Sequence, residues 1–251
     1  MNLKLSNLTM NNVRYIFDVD GTLTLSRQKI DPEFKKFLLN FSSKNDVYLV
    51  TGSDRDKTVE QLTHELYCNC TRVYNCSGSD VYEGDINVYR DEWELPIEAH
   101  RFLQLELEES KFPVRSGNHI EKRPGGVNFS ILGRGSGVII EEREEYVKWD
   151  INTGERKDIA ERFRKAFPEI GCQVGGQTGL DISPLGCDKS QILRDFNRRD
   201  VLHFYGDKLN IGENDYPLGS AIEQERLGFV HEVTDYHHTW KLLNENAVCK
   251  S

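Results

Sequence analysis

The chain has 251 residues, a formal charge of −9 from 32 Lys and Arg against 41 Asp and Glu, and a 37% hydrophobic, 29% charged composition. That length and balance suit a globular chain with a substantial core and exclude a fibrous or disordered one. No apolar run of about 18 residues occurs, which excludes a membrane-spanning helix, and the acidic balance argues against a dedicated nucleic-acid binder.

The first strand is expected at Arg14–Phe17, an apolar run that ends in the acidic Asp18-Val19-Asp20-Gly21-Thr22. A helix follows, with Asp31 as N-cap, Pro32 at its first position, and Phe34, Phe37, Leu38 and Phe41 on one face. Val47–Val50 reads as a second buried strand, closed by Thr51-Gly52-Ser53. Another helix is expected from Asp54, with Val59, Leu62 and Leu66 on one side, then a strand at Arg72–Cys76. Strands alternating with helices point to a parallel sheet with right-handed crossovers.

After Gly78 the pattern changes. Asp85–Tyr89 reads as an extended segment, Pro96 to Ser110 as a helix, and Ile120–Glu121 and Val127–Leu132 as strands. Ile159, Phe163 and Phe167 mark an amphipathic helix, and Gln173–Val174 and Leu180–Ile182 two more strands. The first style returns at Asp188, with a helix carrying Ile192, Leu193 and Phe196 and the strand Val201–Tyr205. The fold expected is α/β: a parallel-sheet core of Rossmann-like type over residues 1–83 and 186–251, interrupted by an inserted α+β cap over residues 84–185.

The polar Met1–Asn12 has no apolar signal core, so a cytoplasmic location is expected. The six cysteines (Cys68, Cys70, Cys76, Cys172, Cys187, Cys249) form no CxxC pair and show no His partner at a fixed offset. They are read as reduced thiols, with no zinc site expected.

Four polar clusters fall at the C-terminal ends of expected core strands, where open α/β sheets place their ligands. Asp18 and Asp20 are two apart, so on an extended chain both carboxylates face one pocket and invite a hard divalent ion such as Mg²⁺. Thr51 and Ser53 offer hydroxyls and backbone N–H groups at a helix start, suited to phosphate. Lys189 opens the next helix, and Gly206-Asp207-Lys208 with Asn214-Asp215 follows the last strand. Singly, each is no more than a turn, a cap or a surface charge. Together, carboxylate pair, hydroxyl, lysine and carboxylate follow successive strands.

This order resembles the haloacid dehalogenase superfamily of phosphotransferases. Asp18-Val19-Asp20-Gly21-Thr22-Leu23-Thr24 with Arg27-Gln28-Lys29-Ile30 is similar, more narrowly, to the eukaryotic-type phosphomannomutases. The cap agrees through the stretch from Gly117 to Arg134, Glu141-Glu142-Arg143 and Gly175-Gly176-Gln177, and in the core Asp188-Lys189 and Gly206-Asp207-Lys208 with Asn214-Asp215-Tyr216 complete the match in order.

The resemblance implies interconversion of mannose 6-phosphate and mannose 1-phosphate through a hexose 1,6-bisphosphate that is both intermediate and activator. Asp18 would be the nucleophile and Asp20 the general acid and base, with Mg²⁺ held by Asp18, Asp20 and Asp207. Lys189 with Thr51 or Ser53 would stabilise the charge, and Asn214 and Asp215 would support the ion's ligands. Arg27, Arg123, Arg134 and Arg143 would hold the substrate's distal phosphate, with Asn128, Gly179 and Asp181 lining the sugar site. The family also implies a homodimer through the cap. The chain departs from the family's pattern in having Thr51 for Gly, Gly179 for Ser and Glu213 for Gly, and in lacking an Asp-Pro-Arg-Thr segment after Tyr216. The alternatives are a Mg²⁺-dependent sugar-phosphate phosphatase on the same core and a non-catalytic sugar-phosphate binder.

Overall fold

Strand β1 (Val13–Phe17) is buried on both of its faces, and this sets the architecture around it. In the computed structural model, which describes residues 12–248, Tyr15 and Phe17 pack on one side of the sheet with Phe34, Leu38, Leu66, Tyr67 and Leu243. Ile16 points the other way, into Ile192, Leu218 and Ile222. A strand covered twice reads as an unbroken apolar run, which is how the sequence displays it. Residues 1–11 and 249–251, and with them Cys249 and the outer limits expected for the core, lie outside the described residues.

The chain continues through α1 (Pro32–Ser42), β2 (Asp46–Val50), α2 (Arg55–Leu62), α3 (His64–Asn69), β3 (Arg72–Asn75), β4 (Asp80–Glu83) and β5 (Ile86–Arg90). Then come α4 (Ile97–Glu109), β6 (Asn118–Arg123), β7 (Gly126–Arg134), α5 (Ile140–Thr153), α6 (Glu155–Ala166), β8 (Ile170–Gly175) and β9 (Gly179–Pro184). It ends with β10 (Val201–Gly206), α7 (Tyr216–Gln224), β11 (Gly228–Glu232) and α8 (Tyr236–Val248). One seven-stranded sheet has the order β11-β10-β1-β2-β3-β4-β5, parallel from β11 to β3 and antiparallel from β3 to β4. A four-stranded antiparallel sheet has the order β6-β7-β9-β8.

The α/β class with a parallel sheet is therefore as the sequence leads one to expect. Two compact units emerge: the chain up to Tyr89 with the chain from Asp188 onward, and Arg90–Cys187. The first changeover falls later than residue 84 because β4 and β5 still extend the first sheet.

Several elements differ locally from expectation. The helix expected from Asp54 through Leu66 breaks at Thr63, whose φ of 71° ends α2 and starts α3. The strand expected to reach Cys76 stops at Asn75, and Cys76–Gly78 forms a 3-10 turn. The helix expected after Asp188 is 3-10 over Lys189–Asp195, capped by the Asp188 carboxylate on the Ser190 N–H, and Phe196 beyond it is extended. In the second unit, Leu103, Phe129, Ile131, Tyr146, Ile159, Phe163 and Ile182 form a separate core. Among the described residues no helix is long and apolar enough to cross a membrane.

Candidate active site

Strands β1 and β10 are neighbours whose sequels run to opposite sides of the sheet, which opens a crevice beyond their C-terminal ends. Asp18 leaves β1 with its N–H on the Tyr205 carbonyl at 3.0 Å, and Asp207 leaves β10 next to it. Lys189, the first residue of the 3-10 segment, donates from Nζ to Asp18 Oδ1 and to Asp215 Oδ1, the latter at 2.6 Å. All three side chains are buried.

The electrostatics follow from that burial. Desolvation pulls the Lys189 ammonium down, and Asp18 and Asp215 outweigh it, so its pKa stands above the ordinary value. Burial raises the Asp18 carboxyl to about 7 against the pull of Lys189, with Asp215 and Asp207 adding to the rise. Burial also raises Asp207. One carboxylate oxygen from each of Asp18, Asp207 and Asp215 lies within 4.8 Å of the others, and Asp207 Oδ1 is buried without a hydrogen-bond partner. Three carboxyl groups around one ammonium, with an orphaned oxygen among them, form a donor set that fits a hard divalent cation.

The convergent carboxylates are thus Asp18, Asp207 and Asp215, where the sequence suggests Asp18, Asp20 and Asp207. The Asp20 carboxylate is engaged elsewhere: Oδ1 accepts from the Arg27 N–H at 2.6 Å and from Gln61 Nε2 at 2.9 Å. Arg27 itself is exposed, with φ at 60°. Gly21 follows Asp20 at φ +87°, and a Cβ there would stand 2.2 Å from Asp207 Oδ2, so no larger residue fits.

Thr51 is buried at the end of β2, and its Oγ1 accepts the Ser53 N–H at 3.1 Å. Its hydroxyl hydrogen is left to donate outward. The cap of α2 is Asp54, which accepts the Lys57 N–H at 3.0 Å, so neither Thr51 nor Ser53 is consumed in capping. Asn214 is exposed, whereas Asp215, placed by the sequence as a supporting residue, is fully buried in the cluster. Gln61 was missed, since nothing in the sequence links α2 to Asp20.

The second unit carries its own polar row. Register pairs Glu121 with Asn128 across β6 and β7, and Asn128 with Asp181 across β7 and β9. Arg123 donates to Glu121 Oε2 at 2.9 Å, and Arg134 Nε lies 3.1 Å from the same oxygen. Arg134 NH1 donates to Asn128 Oδ1 at 3.2 Å, and Asn128 Nδ2 to Asp181 Oδ1 at 2.6 Å. Burial lowers the Arg134 pKa, and the positive charges of Arg123 and Arg143 lower it further. Glu121 and Asp181 act in the opposite direction, and a half-buried guanidinium with like charges beside it has the chemistry to receive an anion. Gly179 pairs with Gly175, and a Cβ at 179 would sit 2.7 Å from the Asn128 amide. The glycine makes room for Asn128. Glu121, the shared partner of Arg123 and Arg134, was not foreseen as a site residue.

The family model described as eukaryotic phosphomannomutase matches residues 34–247. The Saccharomyces cerevisiae phosphomannomutase is 31% identical over 242 residues, covering 92% of each chain. Phosphomannomutase 1 of Dictyostelium discoideum is 32% identical over 220 residues, covering 83% of this chain and 87% of its own. Among solved structures, a haloacid dehalogenase-like hydrolase from Bacteroides thetaiotaomicron superposes with a TM-score of 0.61 at 12% identity. That match spans 94% of this chain and 99% of the other, and it is a likeness of fold.

Proposed function

The chain belongs to the eukaryotic phosphomannomutase family, and from that membership we propose that it interconverts mannose 6-phosphate and mannose 1-phosphate through a hexose 1,6-bisphosphate. The observation that carries the reading is the buried cluster of Asp18, Lys189 and Asp215 beside the unpartnered Asp207 oxygen. Mg²⁺ held by Asp18, Asp207 and Asp215 would supply charge neutralisation at the phosphoryl oxygens.

The chain's own residues perform the transfer. Lys189 holds Asp18 Oδ1, so Oδ2 attacks phosphorus; the new O–P bond forms as the bond from phosphorus to the sugar oxygen breaks. Protonated Asp20 gives its proton to that departing oxygen. Both of its donors sit on Oδ1, which leaves Oδ2 for the proton. In the return step a hexose monophosphate seated in the opposite orientation presents its free hydroxyl, which passes its proton to Asp20 as its oxygen takes the phosphoryl group from Asp18, the Asp18–phosphorus bond breaks and the bisphosphate is re-formed. The Thr51 hydroxyl, beside Ser53, and the third hydrogen of Lys189 donate to the oxygens in transit. Arg123, Arg134 and Arg143, with Asn128 and Asp181 around them, hold the phosphate that is not reacting.

A mutase must exchange the two ends of its bisphosphate, and this separates it from a phosphatase. With Mg²⁺ present, mannose 1-phosphate is expected to appear as the 6-phosphate faster than inorganic phosphate is released, and trace hexose 1,6-bisphosphate accelerates the conversion. If free phosphate dominates and bisphosphate does not stimulate, water is the acceptor and the phosphatase reading replaces this one.

A further inference from the structure

Away from the strand ends, one other group of metal-ligating side chains converges among the described residues: His64, Cys68 and Asp85. His64 and Cys68 are four residues apart on α3 and share a face of the helix, while Asp85 sits in the turn between β4 and β5. His64 Nε2 lies 2.9 Å from Asp85 Oδ1, 3.1 Å from Oδ2 and 3.4 Å from Cys68 Sγ. The thiol also hydrogen-bonds Asp85, which closes the triangle.

The spacing is that of a coordination shell. A tetrahedral zinc ion with bonds of about 2.0–2.3 Å sets its donors roughly 3.3–3.6 Å apart. The nitrogen–sulfur separation already lies in that range, and the nitrogen–oxygen one need open by only a few tenths of an ångström.

Arg55 fixes the third donor. It donates from NH2 to Asp85 Oδ1 at 2.6 Å, and its guanidinium lies over the rings of Tyr82 and Tyr67 at 4.9 and 5.5 Å. Ligating carboxylates are commonly held by such an outer hydrogen bond, and this one leaves Oδ2 for an ion. An imidazole, a thiol and a single carboxylate suit a borderline transition metal; Mg²⁺ and Ca²⁺ prefer oxygen alone.

We propose that His64 Nε2, Cys68 Sγ and Asp85 Oδ2 form a site for a divalent metal of the zinc class, with water as fourth ligand, that ties α3 to the turn before β5. Binding releases the thiol proton to solvent and leaves the His64 proton on Nδ1, so that the Nε2 lone pair is free for the metal. No CxxC pair marks the site in the sequence, since the spacing is His-x₃-Cys and the third ligand comes from a separate turn.

Cobalt(II) tests this on the full chain, with excess Mg²⁺ present to occupy the Asp18 cluster. The parent protein is expected to develop a thiolate-to-cobalt charge-transfer band that saturates at one ion and is displaced by Zn²⁺. Cys68→Ser and His64→Ala, each checked for native far-UV circular dichroism, abolish the band. Arg55→Gln weakens binding about 10–100-fold by freeing Asp85. Absence of the band from the parent, or its survival in Cys68→Ser or His64→Ala, overturns the site and leaves an ordinary surface ion pair.

Discussion

Loss of the buried Lys189 side chain would be costly to this protein. Its ammonium is bonded to both buried carboxylates, Asp18 and Asp215, and removing it takes away their shared counter-charge. Breaking such an arrangement from one side costs about 3–5 kcal/mol. Lys189→Met is therefore expected to lower the urea midpoint, with a loss of unfolding free energy of about that size, in the absence of Mg²⁺, and added Mg²⁺ recovers part of the loss. An unshifted midpoint would mean that the carboxyls are protonated in the folded protein. Gly179 makes a subtler demand. In Gly179→Ser the new Cβ meets the Asn128 amide at 2.7 Å and pushes it off Arg134 and Asp181. The expected result is a raised KM for hexose phosphates with kcat less affected, and about 1–3 kcal/mol of overpacking strain. An unchanged KM would remove Asn128 from the substrate site.

Elements whose signals are local were legible, and those whose signals are shared across the fold were not. The start of α1 is written in the chain: Asp31 accepts the Glu33 and Phe34 N–H groups, and Pro32 takes the first position. Helix α5 carries Tyr146 as its sole buried residue among those described, too little periodicity to show against its charges. The 3-10 segment Lys189–Asp195 opens on Lys189, whose partners Asp18 and Asp215 come from distant parts of the chain. The same divide holds within the site. Asp18 and Asp207 end strands and announce themselves, whereas Gln61 and Glu121 are placed only by the packing of their elements. Strands β10 and β11 show another effect of pairing. His231 Nε2 lies 3.0 Å from His203 Nδ1, and the His231 ring stacks on Tyr205 at 4.3 Å. Burial, then the His203 charge, depress the His231 pKa to about 4. The unfolded chain takes up its proton first, near its ordinary value of about 6.5, so stability falls as pH drops from there toward 4. His231→Phe, measured by thermal melting across that window, is expected to flatten the decline; an equal slope would assign the acid sensitivity to other groups.

At the scale of the whole molecule, the two units differ in how the chain supplies them. Arg90–Cys187 is continuous, and its sheet of β6, β7, β9 and β8 pairs wholly within itself. Its core of Leu103, Phe129, Tyr146, Phe163 and Ile182 is built, among the described residues, from side chains within that range. The first unit is discontinuous. Its central strand β1 pairs with β2 from the same segment and with β10 from beyond Asp188, and Ile16 packs against Ile192, Leu218 and Ile222 from that later segment. A segment ending at Tyr89 therefore exposes one edge of β1 and one whole face of the sheet, a loss of burial that its remaining contacts cannot offset. Expressed alone, Arg90–Cys187 is expected to give dispersed amide resonances and one cooperative unfolding transition, as a domain with its own core does. The segment up to Tyr89 is expected to give neither. A molten Arg90–Cys187 fragment would show that its core, complete in its contacts, still needs the rest of the chain to fix its packing.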